Sequence, residues 1–129
     1  MKYKHIIWDW NGTLLNDLTL CVDLLNVSLE KRKLPEMTED KYRKKFLFPI
    51  KTFYESIGFD FSKEDFTIAN DEFHQGFEQK FKKLALQPYA QDTIVRFQKL
   101  GITQSILSAT VQSRLNEQVD FFGITHLLD

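Results

Sequence analysis

The chain has 129 residues, 43% of them hydrophobic and 14% aromatic with 12 phenylalanines, which is enough apolar material for a packed core and excludes a disordered polypeptide. A formal net charge of −1 excludes a general electrostatic pull toward nucleic acid or anionic membranes, so any affinity for anions must come from a local site. The one cysteine, Cys21, has no partner for an internal disulfide, fits a reducing compartment, and reads as an apolar core residue beside Leu18, Val22 and Leu25.

Tyr3 to Trp8 is short, β-branched and aromatic, and its nearly continuous apolar end predicts a parallel strand covered on both faces. The apolar run behind the basic start of the chain breaks at Asp9, too early for a signal peptide. No segment approaches the ~20 apolar residues that span a bilayer, and the expected location is cytoplasmic. From Asn16 or Asp17, residues suited to capping a helix, Leu18, Val22, Leu25 and Leu29 recur at helical spacing to about Lys33, with Pro35 as the stop. A second helix is expected from Thr38, with Glu39 and Asp40 in its first turn, to about Phe46, and a third from Ile50 to Ile57, closed by Gly58. A fourth starts at the capping box Ser62-Lys-Glu-Asp65, with Phe66, Ala69, Phe73, Phe77 and Phe81 along one face. That stripe reads as helical core and not as a base-stacking platform. Lys31 to Lys33 and Lys80, Lys82 and Lys83 fall at helix C-termini, where the dipole favours cations.

After Pro88 the pattern changes. Tyr89 to Leu100 predicts a helix ended by Gly101, Ile102 to Ser108 a strand, Val111 to Phe122 a helix ended by Gly123, and Ile124 to Leu128 the start of a third strand. Alternating helices and strands of this kind mark a parallel α/β layer.

Between the first strand and the first helix stands Asp9-Trp10-Asn11-Gly12-Thr13-Leu14. An Asn-Gly pair between apolar flanks signals a hairpin, but only Thr13-Leu14-Leu15 precedes the residues that cap a helix, which leaves a second strand little room. The other reading is an acid at a strand end, a glycine turn and a hydroxyl, all presented to a phosphate group. His5, His74 and His126 have no metal-ligand spacing. Trp8 and Trp10 flank the acid and are expected to wall the site from water or to pack beneath the helices.

Asp9 to Leu14 resembles the first motif of the haloacid dehalogenase-like hydrolases, a strand followed by Asp-x-Asp-Gly-Thr-Leu, and departs from it at Asn11. Ser105-Ile-Leu-Ser108 is similar to the family's second motif, a strand ending in Ser or Thr. The resemblance implies an α/β fold: a Rossmann-like parallel core, here incomplete, from residues 1–15 and 86–129, with an all-helical cap inserted at 16–85, as in the phosphoglycolate phosphatase-like branch. It implies a phosphatase acting on a small phosphorylated metabolite through an aspartyl-phosphate on Asp9, with Mg²⁺ held by Asp9 and the backbone carbonyl of Asn11. Ser108, Ala109, Thr13 and Gly12 would bind the phosphate, and Arg43, Lys44 and Lys45, with Lys51 nearby, would contact substrate.

Asn11 stands where family phosphatases carry a second acid that serves as general acid and base, a role an amide cannot fill. The third and fourth motifs, a lysine and one or two further acids, find no counterpart. The expectation is therefore a truncated, weakly active or inactive chain whose first strand is an open sheet edge, a route to self-association. Two alternatives accompany this reading. One is a catalytically silent phosphate-binding or assembly module. The other is a phosphonatase-like C–P hydrolase that forms an imine on a cap lysine of lowered pKa.

Overall fold

The apolar run near the start of the chain forms a short strand, β1 (His5–Trp8), which pairs in parallel with β2 (Thr103–Ile106), His5 opposite Thr103 and Trp8 opposite Ile106. The structure, a computed structural model, describes residues 2–129. Between the strands lie α1 (Leu18–Lys31), α2 (Glu39–Lys45), α3 (Ile50–Ser56), α4 (Phe66–Lys80) and α5 (Ala90–Lys99). After β2 comes α6 (Gln112–Phe121). The result is α/β, with a small parallel sheet and six helices among the described residues. No helix among them is long and apolar enough to cross a membrane.

The chain divides into two compact units, one made of the residues up to Asp17 together with Phe81–Asp129, the other of Leu18–Lys80. In the first, only one face of the sheet is covered. Trp8 packs against Phe97 of α5 with ring centroids 6.3 Å apart and donates its indole N–H to Gln104 Oε1 at 2.9 Å. The Gln104 amide then donates to the Ile94 carbonyl at 2.9 Å. This chain of bonds lets a glutamine sit fully buried in an apolar layer with its donors and acceptor engaged.

The opposite face carries His5 and Ile7, both exposed, so the expectation of a strand covered on both sides fails: no described element packs there. The third strand fails as well. Ile124 and Leu127 are buried while Thr125 and His126 are exposed, a spacing of three that suits the observed 3₁₀ turn Thr125–Leu127 rather than a strand. Only Asp129 reaches the sheet, donating its N–H to the Gln104 carbonyl at 2.7 Å and accepting from the Gln104 N–H at 2.8 Å.

The loop after β1 closes on itself and on the segment that follows the helices. Trp10 O accepts from the N–H groups of Leu14 and Leu15 at 3.1 and 3.0 Å. Leu15 bridges antiparallel to Leu86, flanked by Asn16 N–H to Ala85 O at 3.0 Å and Gln87 N–H to Leu14 O at 2.8 Å. Phe81, expected on the stripe of the fourth helix, lies instead in a 3₁₀ turn, fully buried against Phe121 and Phe122.

The second unit is all-helical, around a core of Val22, Leu25, Leu29, Met37, Phe53, Tyr54, Phe59 and Ala69. Cys21 is buried on α1. Helix α1 stops before Pro35 can act. Lys33 takes a left-handed φ of 56°, and the N–H groups of Leu34 and Lys33 return to the carbonyls of Leu29 and Glu30 at 3.0 and 3.1 Å, a Schellman closure with lysine in the place glycine usually fills. Helix α4 starts at Phe66, not at Ser62. Asp65 accepts from the Thr67 N–H at 2.9 Å and so performs the capping, while the Ser62 hydroxyl turns back to Asp60. Near the far end of α4, Gly76 lets α1 come close: a Cβ there would stand 2.5 Å from Cδ2 of the buried Leu24.

Arg32 at the end of α1 ties the loop and α4 together. It pairs with Glu64 and, at 3.1 Å, with Glu72, and lies 5.0 Å over the Phe59 ring. The Ser28 hydroxyl adds a 2.6 Å bond to Glu72.

Candidate active site

The site assembles at one end of the sheet because parallel strands put their carboxyl ends side by side. Asp9 follows Trp8 directly, Ser108 lies two residues beyond Ile106, and the Leu107 N–H donates to Trp8 O at 2.9 Å. Clefts beyond such strand ends are the usual ligand sites of α/β sheets.

Asp9 is exposed. Its Oδ1 accepts from the Trp10 N–H at 3.0 Å and its Oδ2 from the Thr13 hydroxyl at 3.2 Å. Gly12 makes this local return feasible with φ of +75°, a value that a Cβ would strain. Gln87 Nε2 donates to the Gly12 carbonyl at 3.3 Å and braces the turn from the other side. Trp10, the residue between acid and turn, is fully buried, with its indole N–H on Gln118 Oε1 at 2.8 Å and its ring 6.1 Å from Phe122. It therefore anchors the loop beneath α6.

Asn11 joins the two motifs. Its Nδ2 donates to Asp17 Oδ2 at 2.9 Å, and its Oδ1 accepts from the Thr110 hydroxyl at 3.2 Å and the Ser108 hydroxyl at 3.4 Å. The Ser108 Oγ also accepts from the Thr110 N–H at 3.1 Å, and Ala109 lies exposed between them. Asp17, 2% exposed, and Thr110 are site residues that the sequence did not single out. Asp17 reads as a helix cap, and a threonine two places past a strand carries no signal of its own.

Arg43, Lys44 and Lys45 form the last turn of α2 in the helical unit and are exposed. Lys44 is 74% exposed and pairs with Asp40 at 3.0 Å, one turn back. Lys51 is exposed as well. His5 is engaged on the exposed sheet face, with Nδ1 2.6 Å from the Thr103 hydroxyl and Nε2 2.8 Å from the Ser105 hydroxyl.

No group of three or more His, Cys, Asp and Glu side chains among the described residues could hold a metal ion. Mg²⁺ asks for less, since one or two carboxylate or carbonyl oxygens suffice when water and a substrate phosphate complete the octahedron. The Asp9 carboxylate retains lone pairs beyond its two hydrogen bonds. The Asn11 carbonyl, two residues on, is a second hard oxygen donor of the fitting kind.

Several solved structures share this fold. A predicted phosphoglycolate phosphatase from Haemophilus somnus matches with a TM-score of 0.80 at 19% identity, over 100% of this chain and 61% of that one. A predicted phosphatase from Clostridium acetobutylicum matches with 0.79 at 19%, over 98% and 59%. A haloacid dehalogenase-like family hydrolase from Streptococcus pneumoniae matches with 0.80 at 15%, over 98% and 59%. The chain thus spans about three-fifths of the length of these structures. No curated protein matches it by sequence. The family model for haloacid dehalogenase-like hydrolases matches residues 6–129, nearly the entire chain including both strand-end motifs, and the chain belongs to that family.

Proposed function

We propose that the site is that of a phosphatase acting on a small phosphorylated metabolite, with Asp9 as nucleophile. The observation that carries this reading is the placement of Asp9 and Ser108 just past the carboxyl ends of paired parallel strands, linked through Asn11. The Asp9 carboxylate attacks phosphorus; an Oδ–P bond forms as the bond to the leaving oxygen breaks, and that oxygen departs with the electron pair. Water then attacks phosphorus of the aspartyl-phosphate, releasing inorganic phosphate, returning Asp9 as carboxylate and giving its proton to solvent. The hydroxyl of Ser108 and the N–H of Ala109 hold the phosphate oxygens as oriented donors, and the Thr13 hydroxyl, which donates to Asp9 Oδ2 before substrate binds, turns to the phosphate when it arrives. Mg²⁺, held by Asp9 and the Asn11 carbonyl, would supply the positive charge that lets a carboxylate approach a phosphate dianion.

Asn11 neither ionises nor gives up a proton, so nothing at its position assists the leaving oxygen. General acid–base help is worth about 10²–10⁴-fold in rate, and the reading therefore favours acyl and aryl phosphates, whose leaving groups are stable as anions. Phosphate release with Mg²⁺ from acetyl phosphate should exceed that from a simple alkyl phosphate by at least about 10²-fold, and Asp9→Asn should abolish it. Equal release by the Asp9→Asn variant would overturn the assignment. A second reading, a phosphate-binding module without turnover, is favoured by the full engagement of the Asn11 amide with Asp17, Ser108 and Thr110. It predicts Asp9-dependent binding of a phosphate mimic and no phosphate release from any ester.

A further inference from the structure

We infer that Thr110 is a second hydroxyl ligand of the bound phosphoryl group, held ready by Asn11 in an orientation that Asp17 fixes. This rests on the reading of Asp9 as the phosphoryl acceptor.

The two ends of a carboxamide have the same shape, and their partners decide which way the group faces. A carboxylate accepts and does not donate, so the contact with Asp17 turns Nδ2 toward it and Oδ1 toward the loop after β2. Two hydroxyls then converge on that single oxygen, Thr110 Oγ1 at 3.2 Å and Ser108 Oγ at 3.4 Å. Both contacts are long compared with the ~2.7–2.8 Å usual between oxygens, and a neutral amide oxygen is a weaker acceptor than an anionic phosphoryl oxygen. Both hydroxyls are therefore free to turn to a phosphate beside Asp9 at small loss and with a net gain.

The ordinary structural task for a threonine at this place would be to cap α6. It does not: the cap position is Val111, without a side-chain cap bond. The Thr110 side chain is half-buried, and its hydroxyl donates to Asn11. Ser108 is joined to it, since its Oγ accepts from the Thr110 N–H while its own O–H stays available. The pair thus acts as one two-pronged donor whose second prong lies outside the family's motif residue.

The test is binding of beryllium trifluoride with Mg²⁺, followed by fluorine NMR. Thr110→Val keeps the shape and deletes the hydroxyl; Thr110→Ser keeps the hydroxyl and deletes the methyl. The wild-type chain should give a bound signal that Asp9→Asn removes. Thr110→Val should weaken binding about tenfold or more, the loss of one hydrogen bond to a charged group, and Thr110→Ser should bind within about twofold of wild type. A thermal melt checks folding, with Thr110→Ala as second deletion should the valine variant unfold. Wild-type affinity in both deletions, or a serine variant as weak as the valine one, overturns the inference and leaves the Asp9 assignment standing. Absence of any bound signal in the wild-type chain overturns both.

Discussion

Trp10 donates its indole N–H to Gln118 Oε1 across 2.8 Å, in a place where both side chains are sealed from solvent. A buried donor stripped of its acceptor costs about 1–3 kcal/mol. Gln118→Met, close in volume but without the acceptor, should lower stability by that amount in urea unfolding at neutral pH. Gln118→Glu keeps an oxygen opposite the indole, yet it buries a charge and should be worse. A methionine variant as stable as wild type would mean that the indole does not depend on Gln118.

The 2.9 Å contact between Asn11 and Asp17 carries a polarity that can be reversed. Asn11→Asp sets two carboxylates against each other, a repulsion of several kcal/mol at an effective dielectric of ~20 before relaxation, and the measured loss near neutral pH should reach about 2 kcal/mol. Adding Asp17→Asn restores a donor facing an acceptor. The double variant should recover to within about 1 kcal/mol of wild type, a coupling that a double-mutant cycle reads directly. Additive losses would show that the two side chains do not interact.

Gly76 and Leu24 give a change of sign. Alanine in place of glycine in a helix is worth about 1 kcal/mol, but here its Cβ would stand 2.5 Å from a buried Leu24 methyl, and overpacking costs about 1–3 kcal/mol. Gly76→Ala should therefore destabilise modestly in the natural chain. In a Leu24→Ala background, itself weaker, the same change should stabilise by about 1 kcal/mol. Denaturant midpoints of the four proteins decide it.

The acid limb of stability should report Glu72. Partial burial pushes its carboxyl up, but hydrogen bonds from Arg32 and Ser28 and the charge of Arg32 outweigh that and leave it below the ordinary glutamate value. A lowered carboxyl stabilises above its unfolded pKa, and the contribution fades as pH falls through the folded one. Arg32 stays charged throughout, and Tyr54, pushed up to about 12 chiefly by burial, stays protonated, so neither adds a slope there. Glu72→Gln should lose about 1 kcal/mol near neutrality, and its difference from wild type should shrink as pH falls below the ordinary glutamate range. A constant difference across that range would contradict this account.

Much of the helical unit was legible because its signals are local. The Thr38 cap on the Lys41 N–H and the glycine stop at Gly58, with its positive φ, show in a window of a few residues, as does Gly101 in the other unit. What sequence could not show depended on distant partners. The Ser62 box competed with Asp65 for the start of α4. Lys33 took a glycine's backbone shape, and Ile124 and Leu127 chose a spacing of three over two. At the site, the strand-end acid and serine were readable as motif residues. Asp17 and Thr110 were not, because their part rests on which amide end faces which neighbour, a three-dimensional fact.

The short antiparallel ribbon of Leu14–Leu15–Asn16 with Ala85–Leu86–Gln87 works as a buckle. It brings together the two points where the backbone departs from and rejoins the strands, and the whole helical stretch Leu18–Lys80 is thereby a closed excursion from one place. Lengthening such an excursion costs little in closure entropy, since each doubling adds only about 0.6 kcal/mol. Excursions of other sizes and sequences could hang from the same fastening without rewriting the carboxyl end of the sheet, which makes this the natural seam for grafting a different helical stretch.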